Sequence, residues 1–207
     1  GPRQSQTPAP GRAWWQRPGL GIMYQIEYRP GWGWERDFVA FNRALRDPQS
    51  GGLAFDGPYC KIEEWVALSQ ACGADYHVFE AKWHDGICYW NTQTTAWKTP
   101  VDYAEPFARL SRKRGIPFMF YYSTVFDHNP ELDPIQPNPH ATMSFIGMRE
   151  DDAYIQYMFR HFEELIQQYR PDGMWFDIYF EERSTQATIE FFNQRYPETV
   201  ITYKPEY

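Results

Sequence analysis

"PDGMWFDIYFEE", residues 171–182, surrounds one carboxylate, Asp177, with Met174, Trp175, Phe176, Ile178, Tyr179 and Phe180. A near-continuous apolar run of this length reads as a strand buried on both faces, the kind found in a parallel sheet with helices packed over it. A lone acid inside such a strand is costly unless it is partnered or used. Asp177 follows Trp175 by two residues, so both project from the same face of the strand.

Outward from this stretch, strands alternate with helices. Strands are expected at 20–28, 75–83, 116–124, 173–179 and 199–207. Helices are expected at 60–73, 101–115, within 150–173, and at 184–197. Gly73 and Gly115 read as helix stops, and the basic run at 112–114 suits a helix C-terminus. Alternating β and α with apolar strands indicates an α/β fold with a parallel sheet. No Gly-rich phosphate loop follows the first strand, which argues against a dinucleotide-binding sheet. A (β/α)8 barrel fits better, although a full one takes ~250 residues. Five strands and four helices correspond to the first part of such a barrel. The expected organisation is a flexible tail over residues 1–12 and a partial barrel over 13–207.

Composition narrows the function. Aromatic residues make up 19% of the 207, with nine Trp, fifteen Tyr and fifteen Phe. They supply either a large aromatic core or flat surfaces for sugar rings, with polar tips for hydroxyls. The net charge of −7 and the lack of a basic run exclude a nucleic-acid footprint. No segment has the ~18–20 apolar residues a membrane span needs. The opening "GPRQSQTPAPGR" has no apolar core and is no signal peptide. Secretion or a periplasmic location is compatible with the rest, and the compartment stays open. Cys60, Cys72 and Cys88 lack zinc spacing, and their odd number argues for buried free thiols.

In parallel α/β architectures, ligands bind at the carboxyl ends of the strands. The polar residues there are Gln25 and Glu27; Glu80, Lys82, His84 and Asp85; Tyr122, Ser123, Asp127 and His128; Asp177, Glu181 and Glu182; and Lys204 and Glu206. Several have plain structural readings. His84 reads equally as a core histidine. Asp127 before Asn129-Pro130 suits an Asx turn. Glu27 suits a pair with Arg29 or Arg36, and Glu181 and Glu182 suit a solvated loop. Asp177 is best explained as functional, at the mouth of a barrel.

Four segments resemble glycoside hydrolase family 29, the α-L-fucosidases. "KIEEWVALSQACGADYHVFEAKWHDGICYW" is similar to that family's helix–strand unit ending in AKHHDG. "IPFMFYYS" resembles its next strand, "DGMWFDIYF" the strand bearing its nucleophile, and "GLGIMYQIEY" its opening strand. They occur in order and span most of residues 19–207.

The resemblance implies a retaining mechanism with two carboxyl groups and no cofactor or metal. Asp177 matches the nucleophile. Trp175, His84 and Tyr122 (or its neighbour Tyr121, the strand parity being open) match residues around the sugar. Gln25 stands where the family has His, Trp83 where it has the first His of HHDG, and Lys204 where it often has Arg, a planar bidentate donor. The family's acid/base glutamate follows strand five, so the acid/base is unassigned here. Glu206 is the one carboxylate at the end of the last strand.

The implied activity is cleavage of a terminal fucose, or a related sugar, through a glycosyl-enzyme on Asp177. A second reading is a sugar-binding pseudoenzyme, or a barrel fragment without its acid/base. A third, metal-assisted hydrolysis by His84, Asp85, Asp127 and His128, is disfavoured because "YQIEY" lacks the H-x-H common on the first strand of such barrels. The expected partner is a carbohydrate, with neither nucleic acid nor membrane. An open five-stranded sheet also predicts an oligomer or a partner over its edge.

Overall fold

The computed structural model describes residues 14–16, 19–26, 42, 44–54, 60–124, 127–132, 151–177 and 183–203. The expected tail, and Glu27, Arg29, Arg36, Glu181, Glu182, Lys204 and Glu206, lie outside these residues. Five strands, β1 (Gly21–Tyr24), β2 (Tyr76–Lys82), β3 (Phe118–Ser123), β4 (Gly173–Asp177) and β5 (Val200–Tyr203), alternate with four helices. The helices are α1 (Ile62–Ala71), α2 (Ala104–Arg114), α3 (Asp152–Tyr169) and α4 (Arg183–Arg195). The strands form one parallel sheet in sequential order, as in the first part of a barrel. β1 is shorter than its apolar run predicts, and β5 covers Val200–Tyr203 of the fifth run.

Helix ends follow their local chemistry. Asp151 caps α3 by accepting the Tyr154 N–H at 2.9 Å. Gly115 ends α2 in the left-handed region, at φ 67°, where a residue without Cβ is unstrained. Cys72 forms the C-cap of α1 and is exposed, so the expectation of buried thiols holds for Cys60 and Cys88 alone.

The two faces of the sheet bury different sets of side chains. Phe79, Phe118, Phe120, Tyr122, Met174 and Phe176 face the helices and form the main core with Phe107, Met158, Phe162 and Phe192. Met23, Val78, Met119, Tyr121, Trp175 and Val200 form a second, inner cluster. Trp14 and Trp15 close its lower end, with ring centroids 5.8 and 5.3 Å from that of Tyr76. A Cβ at Gly173 would lie 2.7 Å from both Met119 Cε and the Val200 carbonyl oxygen, so the inner face accepts no side chain there. No helix among the described residues is long and apolar enough to cross a membrane.

Two buried polar arrangements tie these layers together. His77 lies on the helix side, with Nδ1 2.9 Å from Ser69 Oγ and Nε2 2.7 Å from Ser111 Oγ. Ser111 donates to the Phe107 carbonyl at 2.6 Å, so it accepts from Nε2–H of the neutral ring, and Ser69 donates to Nδ1. Tyr24 Oη lies 2.7 Å from Ser69 Oγ and donates to the Trp65 carbonyl at 2.6 Å, which links β1 to the same group.

The second arrangement begins at an irregularity between Glu80 and Lys82, where the β2–β3 register shifts. This bulge turns Lys82 to the helix side, away from the mouth where the sequence placed it. There its Nζ lies 2.5 Å from Asp127 Oδ2, both side chains being fully buried. It also lies 4.3 Å from the Tyr122 ring centroid and donates to Tyr154 Oη at 3.3 Å. Asp127 Oδ1 accepts the Asn129 N–H at 2.9 Å, which is the expected Asx turn.

Two predictions follow from these groups. Lys82→Met leaves a buried carboxylate without its cation and should destabilise the fold by about 3–5 kcal/mol, read from the urea midpoint. Burial holds the His77 imidazole down to about 4, and His161, buried with the Lys82 charge nearby, is also lowered. Unfolding raises each toward its ordinary value of 6.5, so the unfolded chain binds protons that the fold refuses. Stability is therefore full above pH 6.5 and falls as pH drops toward 4, by about 3 kcal/mol for His77. The urea midpoint against pH should lose about one proton of slope over this window in His77→Gln.

Candidate active site

The register of the sheet brings the site residues together. Tyr121 pairs with Trp175 and Ser123 with Asp177, and residues partnered in a parallel sheet project from the same face. Four inner side chains thus reach the carboxyl ends of two adjacent strands. β2 adds Glu80, partnered with Tyr121, and after its bulge the chain turns through Trp83 and His84.

Asp177 lies at the centre of this group, and its side chain is 23% exposed, open enough to meet a ligand. Its Oδ2 accepts the Tyr121 phenol hydrogen at 2.8 Å and lies 3.5 Å from His84 Nε2. Burial and the adjacent Asp177 carboxylate push the Tyr121 phenol well above its ordinary range, so it stays protonated and donates. Trp175 stacks on the Tyr121 ring, centroids 5.3 Å apart and planes 20° apart. Trp83 stacks on the His84 ring at 5.2 Å and 27°. On its far side, His84 Nδ1 lies 2.6 Å from Ser123 Oγ. The arrangement sets the Asp177 carboxylate between the Tyr121 hydroxyl and the His84 ring, beside a flat aromatic surface. That chemistry suits attack on, or binding of, a polar ligand with an apolar face.

Of the residues expected around a sugar, the structure brings Asp177, Trp175, His84 and Trp83 into one cluster. Gln25 is exposed, just beyond the end of β1, next to Ile26, whose N–H donates to Glu80 Oε1 at 2.9 Å. Tyr122 is a correction. It points into the helix layer, where its hydroxyl meets His161 Nδ1 at 2.8 Å, and Tyr121 is the tyrosine that meets Asp177. In "FMFYYS" both parities are apolar, which hides the inner face. Ser123 offered the usable signal, since a hydroxyl two residues after Tyr121 suits a polar mouth better than a phenylalanine-rich helix layer.

The two carboxylates of the metal-assisted reading serve other partners. Asp127 takes Lys82 and the Asn129 amide, and Asp85 Oδ1 takes the Ile87 N–H at 2.9 Å. Among the described residues, no group of three or more His, Cys, Asp and Glu side chains is placed to hold a metal ion.

Known proteins share this arrangement of sequence and fold. The Alpha-L-fucosidase family profile matches residues 25–204. The tissue alpha-L-fucosidase of Macaca fascicularis is 27% identical over 70% of this chain and 32% of its own length. The Homo sapiens protein of the same name is 24% identical over 85% of this chain and 41% of its own. The chain therefore spans about a third to two-fifths of these relatives' length. Among solved structures, Thermotoga maritima alpha-fucosidase in complex with fucose superposes with a TM-score of 0.55 at 25% identity, covering 78% of this chain and 38% of that one. The alpha-L-fucosidase AlfC from Lactobacillus casei, in complex with its alpha-L-fucose product, reaches 0.65 at 21% identity, over 92% and 67%, and supports the fold. With the family profile covering most of its residues, the chain belongs to the α-L-fucosidase family.

Proposed function

We propose that this chain carries the nucleophile half of a retaining α-L-fucosidase site. The carrying observation is Asp177, at the carboxyl end of β4, with its Oδ2 held by Tyr121 at 2.8 Å. In this reading Oδ1 attacks the anomeric carbon of a terminal fucose, or a closely related sugar. The leaving oxygen departs with a proton from a second carboxyl group, and a glycosyl ester forms on Asp177. Water, activated by that second group, then releases the sugar with its configuration retained. Tyr121 orients the carboxylate, Trp175 and Trp83 offer apolar surfaces to the ring, and His84 donates to a sugar hydroxyl. Gln25 and Lys204 are assigned to the sugar by family position. The acid/base is left unassigned, and Glu206 is a candidate by position only.

The decisive test is Asp177→Gly in the native polypeptide, assayed on an aryl α-L-fucoside. Turnover should fall by about a thousandfold or more, and added azide should restore it by taking the place of the carboxylate. Unchanged turnover would sink the assignment. Fucose binding measured by calorimetry, without turnover by the native protein, would favour the sugar-binding reading. Tyr121→Phe should lower kcat/KM roughly ten- to a hundredfold through loss of a charged hydrogen bond, while Tyr122→Phe should leave it near wild type.

A further inference from the structure

We infer that the chain carries a second carbohydrate site, on the solvent side of α3 and away from the barrel mouth, which takes a neutral oligosaccharide. It does not rest on the role of Asp177. The site is a cleft of about 500 Å³, within the ~300–1,000 Å³ of small-ligand sites. Gln156, Phe159, Arg160, Glu163 and Glu164 line its α3 side. They fall at i, i+3, i+4, i+7 and i+8, one stripe of the helix. Gln93 and Thr94 form one flank, and Arg195 of α4 the other.

Both flanks are fastened to α3. Glu164 accepts Trp90 Nε1 and the Gln93 N–H at 2.9 Å each, and the Thr94 hydroxyl at 3.2 Å. Glu163 pairs with Arg195, and it accepts the Tyr196 hydroxyl and, at 2.8 Å, Gln167 Nε2. Between the flanks Phe159 is half-buried, its ring stacked on Phe191 with centroids 4.6 Å and planes 29° apart. The walls are therefore formed in advance, and a ligand need not order them. Gln156 and Arg160 take no part in the fastening. Both are exposed, and among the described residues neither has a hydrogen bond or an ion pair.

The chemistry of these groups selects the ligand. A part-exposed ring beside a planar amide and a guanidinium suits a pyranose, whose C–H face packs on aromatic carbon while its hydroxyls reach the polar groups. The Arg160 fork spans two neighbouring oxygens, and the Gln156 amide both donates and accepts. The charges lining the cleft are Arg160, Arg195, Glu163 and Glu164, so they cancel. A phosphate or sulfate would gain at Arg160 and lose at Glu164, one turn away, whereas an uncharged sugar suffers no such repulsion. An oligosaccharide bound here is held on the protein without occupying the mouth.

The experiment is proton–nitrogen correlation NMR on the native protein labelled with 15N-arginine and 15N-glutamine, titrated with lacto-N-tetraose, a neutral oligosaccharide without fucose. The Arg160 and Gln156 side-chain signals, assigned by their loss in Arg160→Ala and Gln156→Ala, should shift and saturate with a Kd near ~1 mM, as a few contacts on an open cleft give. Each variant should weaken binding about tenfold at the signal that remains. Its urea midpoint should stay at the wild-type value, since both side chains are exposed. Inorganic phosphate at the same concentration should move neither signal. No shift at about 20 mM sugar, well above that Kd, overturns the site. A shift confined to Gln25, just beyond β1, places the sugar at the mouth and also overturns it. Phosphate that displaces the sugar overturns the ligand class.

Discussion

The ion pair between Lys82 and Asp127, closed off from water on the helix side of the sheet, is the interaction on which the mouth of the barrel depends. A charge this deep is tolerated only with its counter-charge and further hydrogen bonds, and here both are present. The geometry leaves little room for drift. Gly86 lies so close that a Cβ there would sit 2.3 Å from Asp127 Oδ1, and its φ of 78° favours glycine in any case. Asn42 donates across the same region, to the Asp85 and His128 carbonyls, at 2.8 and 2.9 Å. The segments carrying His84 and Asp127 are therefore fastened from beneath, and the His84 ring is held above a rigid floor.

That floor explains how a site can stand on strand ends, where hydrogen bonding of the sheet has run out. The functional side chains are the last two inward residues of β3 and β4 and the first two residues after β2. The helix-facing residues between them are phenylalanine, methionine and tyrosine, which lock strand height through packing. The placement of Asp177 against Tyr121 is thus inherited from the core, through the register of β3 and β4.

Much of the fold was legible because it depends on local, repeating signals. The apolar runs, the glycines closing α1 and α2, and the amphipathic run of α3 each mark an element by chemistry within a few residues. Asp177 was legible as an anomaly, a charge where only apolar groups belong. What could not be read depends on neighbours distant in sequence. The side on which Tyr121 lies is fixed by register with Trp175, and a uniformly apolar strand carries no mark of parity. The bulge that sends Lys82 away from the mouth answers to Asp127, 45 residues further on. The exposure of Cys72 comes from where α1 ends on the surface, which its composition does not encode.

The connection between β2 and α2 has a further consequence, for folding. Its turns around residues 90–96 are satisfied by two carboxylates from elsewhere. Glu164 of α3 accepts Trp90 Nε1 and the Gln93 N–H at 2.9 Å each, and Glu131 accepts the Thr95 hydroxyl at 2.6 Å and the Ala96 N–H at 3.0 Å. The first of these contacts spans 74 positions in the chain. Such closures become favourable only after the entropy of a long loop has been overcome. The segment borrows part of its shape from α3, so its order depends on the docking of a helix that it precedes along the chain.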